Sequence, residues 1–82
     1  MAIRKMEVKS KSGILYCLDF NDKENEVTIK CLSKVGASSP KDLIFAAMYP
    51  LNLETVREGL DDITYKCPTN MNNKVRKSIR ES

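Results

Sequence analysis

Three cysteines, Cys17, Cys31 and Cys67, are the side chains in this 82-residue chain best suited to nucleophilic or soft-metal chemistry, and no histidine accompanies them. Without an imidazole neither a Ser–His nor a Cys–His nucleophile pair can be assembled. The cysteines are widely spaced and form no C-x-x-C pair, so a structural zinc site would lack its fourth ligand. An odd number of them does not make a disulfide framework. They read as reduced thiols that behave as small hydrophobes. Gly13, Gly36 and Gly59 are isolated, which excludes a glycine-rich phosphate loop. Asp61 and Asp62 are adjacent, but an acidic pair in a turn is ordinarily solvated. The expectation is a protein that is not an enzyme, with no metal and no cofactor.

What remains is binding chemistry, and the charges are unevenly placed. Residues 1–11 carry Arg4, Lys5, Lys9 and Lys11 against Glu7, a net +3. Residues 66–82 carry Lys66, Lys74, Arg76, Lys77 and Arg80 against Glu81, a net +4. The stretch between them holds five basic and nine acidic side chains, a net −4. Basic ends around an acidic middle suit a polyanion-binding face, and they equally suit a solvated surface. The candidate phosphate contacts are Arg4, Lys5, Lys74, Arg76, Lys77 and Arg80.

These residues need elements to position them. Residues 3–9 alternate loosely, and Ser10–Gly13 is a turn cluster. Ile14, Tyr16, Leu18 and Phe20 alternate strictly, as in a half-buried strand, with Leu15 and Cys17 on the opposite face. After the polar turn at residues 21–25, Val27, Ile29 and Cys31 predict a third strand. Ile63, Tyr65 and Cys67 predict a fourth, stopped by Pro68. Such short connections favour an antiparallel meander. Ser39, Pro40 and Asp42 read as a helix start, with a hydroxyl to accept an orphan N–H and a carboxylate at the positive end of the dipole. That helix should run to about Tyr49, where Pro50 stops it. Asn52 then caps a second helix through Leu53, Val56 and Leu60. Met71, Val75 and Ile79, four apart, form a narrow apolar stripe on a basic C-terminal helix.

The apolar run Leu43–Tyr49 covers the whole circumference of a two-turn helix, and a small sheet can bury only one side. Phe45, Met48 and Tyr49 are therefore the candidate protein-interface residues, for a partner or for a homodimer. The run is too short to span a bilayer. Met1, Ala2 and Ile3 lead straight into charge, without a signal-peptide core, so the chain is expected in the cytoplasm.

Two stretches resemble known families. "GASSPKDLIFAA" resembles the start of the central helix in OsmC-like peroxide reductases. That family places a reactive cysteine a turn or two later, where Met48, Tyr49, Pro50 and Leu51 stand here, so no residue is carried over. "NLETVREGLDDI" resembles the second helix of helix-turn-helix regulators, especially winged ones. Val56, Leu60 and Ile63 take the apolar positions, and Ala46 the small one. The resemblance implies that Glu54, Thr55, Arg57 and Glu58 face the major groove. Pro50 in the turn, Gly59 in the helix and two acids on the reading side depart from that pattern.

Taken together, residues 1–82 read as a single α+β domain. Three or four antiparallel strands carry two short helices and a C-terminal helix on one face. Two readings of its activity stand open. The first is a small regulator that contacts nucleic acid through its basic termini and the 53–63 helix, Arg57 included. The second is a protein-binding adaptor or inhibitor that uses the 43–49 helix or a sheet edge. A lysine-rich, motif-poor composition of this kind also suits a viral accessory protein.

Overall fold

The structure, a computed structural model, describes residues 3–33 and 39–82. Its architecture is α+β, a five-stranded antiparallel sheet with two α-helices against one face. The strands are β1 (Ile3–Lys9), β2 (Leu15–Asn21), β3 (Glu26–Cys31), β4 (Thr55–Glu58) and β5 (Asp62–Lys66), in the order β1-β2-β3-β5-β4. The helices are α1 (Pro40–Met48) and α2 (Asn72–Arg80). Edge strands β1 and β4 thus lie at opposite ends of the sheet.

Local chemistry sets the turns. Lys11, Ser12 and Gly13 form a three-residue hairpin loop closed by hydrogen bonds between Ser10 and Ile14, with Gly13 at φ 90°. That is the position where a three-residue hairpin wants glycine. In the β2–β3 turn, Asn25 takes a left-handed φ of 53°, which asparagine tolerates better than most residues. Registers Val8↔Tyr16, Tyr16↔Cys31, Leu18↔Ile29 and Ile29↔Ile63 put the alternating apolar residues of four strands on one face.

Both helices close over that face. Ser39 Oγ accepts the Asp42 N–H at 3.1 Å, so the expected cap of α1 is present. α1 buries Ile44, Ala47 and Met48. α2 buries Asn72, Val75 and Ile79, with half-buried Met71 just before it. A nine-residue helix is marginal in isolation, so packing must hold it. Val75 and Ile79 are both fully buried, and each contributes about 1.5–3 kcal/mol relative to exposure. The Ser78 hydroxyl donates to the Ala47 carbonyl at 2.6 Å and ties α2 to α1.

Two expectations about the fold need correction. The sheet has a fifth strand, and the helix expected from Asn52 to Leu60 is absent. Tyr49–Leu51 form one 3-10 turn, and Asn52 then adopts a left-handed φ of 51°. It stops the helical region instead of capping a new one. The chain continues into β4, paired Thr55↔Tyr65, Arg57↔Thr64 and Glu58↔Ile63, with an irregularity at Val56. Gly59 belongs to the β4–β5 turn, where its N–H donates to the Asp62 carbonyl at 2.8 Å. An added Cβ there would overlap the Asp62 carboxylate. The reading helix implied by the helix-turn-helix resemblance is therefore not formed, and Glu54, Thr55, Arg57 and Glu58 lie in and beside an edge strand.

Candidate nucleic-acid interface

The two basic ends of the chain meet. The Lys11 N–H donates to the Arg80 carbonyl at 2.7 Å, and the Ser12 hydroxyl donates to the Ser82 carbonyl at 3.1 Å. The β1–β2 turn thereby satisfies carbonyls that the end of α2 would otherwise leave open. α2 packs beside β1, and a shallow cleft of about 620 Å³ separates them. Met6, Glu7 and Val8 border it from β1, Asn73, Arg76, Lys77 and Arg80 from α2, and Glu81 from the end of that helix. Residues 3–13 and 72–82 together carry eight basic side chains against Glu7 and Glu81, a net +6. The whole chain carries +3, so everything else sums to −3.

The candidate residues differ in how free they are. The Arg4 guanidinium reaches Asp22 at 3.2 Å and lies 5.9 Å from the Phe20 ring centroid, so its charge is largely engaged. Lys5 stands on the uncovered face, directly opposite Asp19 in the register. None of the three ion pairs among the described residues involves α2. Arg76 and Arg80 lie on the β1 side of that helix, Lys77 borders both sides, and Lys74 borders Pro50 and Leu51 on the α1 side. Arg57 lies on β4, at the opposite edge of the sheet. Lys11, which sequence reasoning did not single out, meets the end of α2 through its backbone, whereas Lys9 alternates with Val8 and shares the uncovered face with Lys5. The place of Lys11 in the N-terminal basic run was a signal, but its approach to α2 was not legible.

The uncovered face of the sheet carries both signs of charge. Lys5↔Asp19 and Lys30↔Asp62 sit opposite one another, and the Thr28 and Thr64 hydroxyls share a hydrogen bond of 2.9 Å. Mixed charge of this kind offers polyanions no net field, unlike the flank.

The protein-interface candidates also separate. Met48 is 2% exposed, because α1 turns it toward the sheet together with Ile44 and Ala47. It is a core residue and not an exposed interface side chain, contrary to the expectation from sequence. Phe45 is partly exposed and Tyr49 is 83% exposed.

The thiols occupy distinct settings. Cys31 and Cys67 are buried under the helices, and Cys17 is half-buried on the uncovered face. Burial, then the nearby Asp19 carboxylate, push the Cys17 thiol up from its ordinary range, and its S–H donates to Asp19 Oδ1 at 3.7 Å. Burial and Asp22 likewise raise the Cys67 thiol, which donates to Asn72 Oδ1 at 3.4 Å. A thiol held protonated is a poor nucleophile. Among the described residues no group of three or more metal-ligating side chains gathers, and no helix is long and apolar enough to cross a membrane. The flank can offer ammonium and guanidinium donors to phosphate oxygens. It holds no aromatic side chain on which a base could stack. Comparison with protein-family models, with curated proteins and with solved structures finds no match to this chain.

Proposed function

We propose that this chain is a non-catalytic nucleic-acid-binding protein that grips the phosphate backbone along the flank of β1 and α2. Lys11, Arg76, Lys77 and Arg80 are its main contacts. The observation that carries this reading is the meeting of the two basic ends, which brings Lys11 of the β1–β2 turn to the end of α2, beside Arg76, Lys77 and Arg80. The contacts are of the positioning kind, so binding should depend little on base sequence. The 53–63 segment, a hairpin at the far edge, has no part in it.

Four phosphates neutralised on duplex DNA give a log–log salt slope of about −3.6. Between 50 and 200 mM salt the affinity should fall roughly 150-fold. Fluorescence anisotropy with labelled duplex DNA, duplex RNA and single strands over that range measures it. Absence of any salt-sensitive binding at the low end would remove this function, and the basic flank would then be a solvated surface.

A further inference from the structure

The opposite edge of the sheet carries a second candidate surface. An open cavity of about 170 Å³ lies between the end of α1 and the start of β4, bordered by Phe45, Met48, Tyr49, Leu53, Thr55 and Tyr65. That volume suits a ring-sized group, since a cavity of about 150 Å³ accommodates benzene. Tyr65 is 3% exposed, and its hydroxyl has no hydrogen-bond partner among the described residues. Buried phenols ordinarily find one. Burial, then the charge of Glu58, raise the Tyr65 pKa to about 12, so the group remains an O–H donor in want of an acceptor. The same Glu58 disfavours an anionic acceptor and leaves a neutral carbonyl as the fitting one. Residues 52–62 carry Glu54, Glu58, Asp61 and Asp62 against Arg57, a net −3. β4 is an edge strand, exposed at all four positions.

We propose that this edge docks an extended, basic segment of a partner protein, with one aromatic or branched apolar side chain in the cavity and a backbone carbonyl accepting from Tyr65 Oη. Basic residues on either side of that anchor complement the acidic β4 hairpin. The Tyr65 oxygen is closed off from solvent in the free chain, so docking includes side-chain rotation at the cavity wall. The short length of β4 and its irregularity at Val56 restrict any added backbone ladder to a few residues. Most of the recognition therefore falls to the cavity. This surface is independent of the basic flank, and either can fail without the other.

Titration of the ¹⁵N-labelled protein with acetyl-Lys-Phe-Lys-amide, followed by amide chemical shifts, tests it. Saturable shifts at residues 45–55 and at Tyr65 are expected. Tyr65→Phe, which keeps the ring, should weaken binding about fivefold, the worth of one neutral hydrogen bond. Tyr49→Ala, at an exposed position outside the core, should also weaken it without unfolding the chain. Acetyl-Glu-Phe-Glu-amide should bind less well than the basic peptide. Equal affinity for Tyr65→Phe, no effect of Tyr49→Ala, indifference to peptide charge, or no saturable shift up to ~10 mM would each overturn the proposal. Shifts at these residues on simple dilution of the free protein would also overturn it, since a second copy would then be the occupant.

Discussion

Tyr65→Phe should make the free protein more stable. The hydroxyl is buried beneath the end of α1, beside β4, and has no partner among the described residues. An unpaired buried hydroxyl costs about 1–3 kcal/mol of desolvation, whereas phenylalanine retains the ring and its apolar contacts. A gain of about 1–2 kcal/mol is expected, and in a domain of this size each kcal/mol moves the melting temperature by roughly 4–8 °C. A second outcome follows from titration. The neutral phenol is favoured in the folded chain, where its pKa stands at about 12 against 10.0 for the free group. Its contribution is therefore complete below about pH 10 and is lost as pH rises through about 12. The loss is at most about 2.7 kcal/mol for two pKa units. Tyr65→Phe should remove that share of the alkaline decline. Tyr16, Cys17 and Cys67 are raised in the same direction, so the decline should flatten and not vanish. Urea melts followed by circular dichroism, at neutral pH and at steps between about pH 9 and 12, supply both measurements. A lower midpoint for Tyr65→Phe at neutral pH would show that the hydroxyl has a partner and refute the reasoning.

Ser39→Ala should cost about 1 kcal/mol, because the serine Oγ accepts the Asp42 N–H at the start of α1; an unchanged urea midpoint would mean that the cap adds nothing. Neutralising Arg76, Lys77 and Arg80 to glutamine should flatten the salt slope on duplex DNA by about 2.7, whereas Arg57→Gln should leave it unchanged. Equal effects of the two would mean that the binding surface does not follow the β1–α2 flank. In thiol alkylation of the folded protein Cys17 should react first, and Cys31 and Cys67 only on unfolding; mass spectrometry after timed quenching gives the order, and early modification of Cys67 would contradict its burial.

The elements that the sequence showed clearly are those in which side-chain burial alternates. Tyr16, Leu18 and Phe20, then Val27, Ile29 and Cys31, face a core on one side and water on the other, so their period is visible. β4 has no such contrast. All four of its residues are exposed, while Leu53, Val56 and Leu60 happen to stand at helical spacing. Leu60 is 97% exposed, so that spacing marks no buried face. The strand exists because its backbone pairs with β5, which no local pattern reports. α1 posed the reverse problem. It is apolar all round, so its sequence did not say which side meets the sheet, and Met48 fell on the buried one. The basic clusters were legible as charge, but the closure of Lys11 on Arg80 is a contact across almost the whole chain. Tyr65 read only as an inward strand residue, and its unpartnered hydroxyl depends on what α1 and β4 fail to provide.

The order of the strands decides how these surfaces act together. β1 and β4 are separated by four strand spacings of about 4.8 Å, or about 19 Å. At physiological ionic strength charges interact strongly only within about 8 Å. The basic flank and the acidic hairpin therefore do not cancel each other, although the small net charge of the chain suggests a nearly neutral protein. On the reading proposed above, each edge presents its own field to its own partner. A polyanion held at β1 is then not repelled by Glu54 and Glu58, whereas Lys74 and Lys77 border Pro50 and Leu51, close to the β4 cavity, and are the basic groups a peptide there would feel first. On this reading the narrow sheet serves as a spacer, and both partners can be held at once. Saturating DNA should then leave the peptide affinity at β4 unchanged within about twofold at physiological salt, while at about 10 mM salt, where screening extends to about 30 Å, the two should begin to couple. Strong coupling at physiological salt would mean that the edges communicate through the core and not through the field alone.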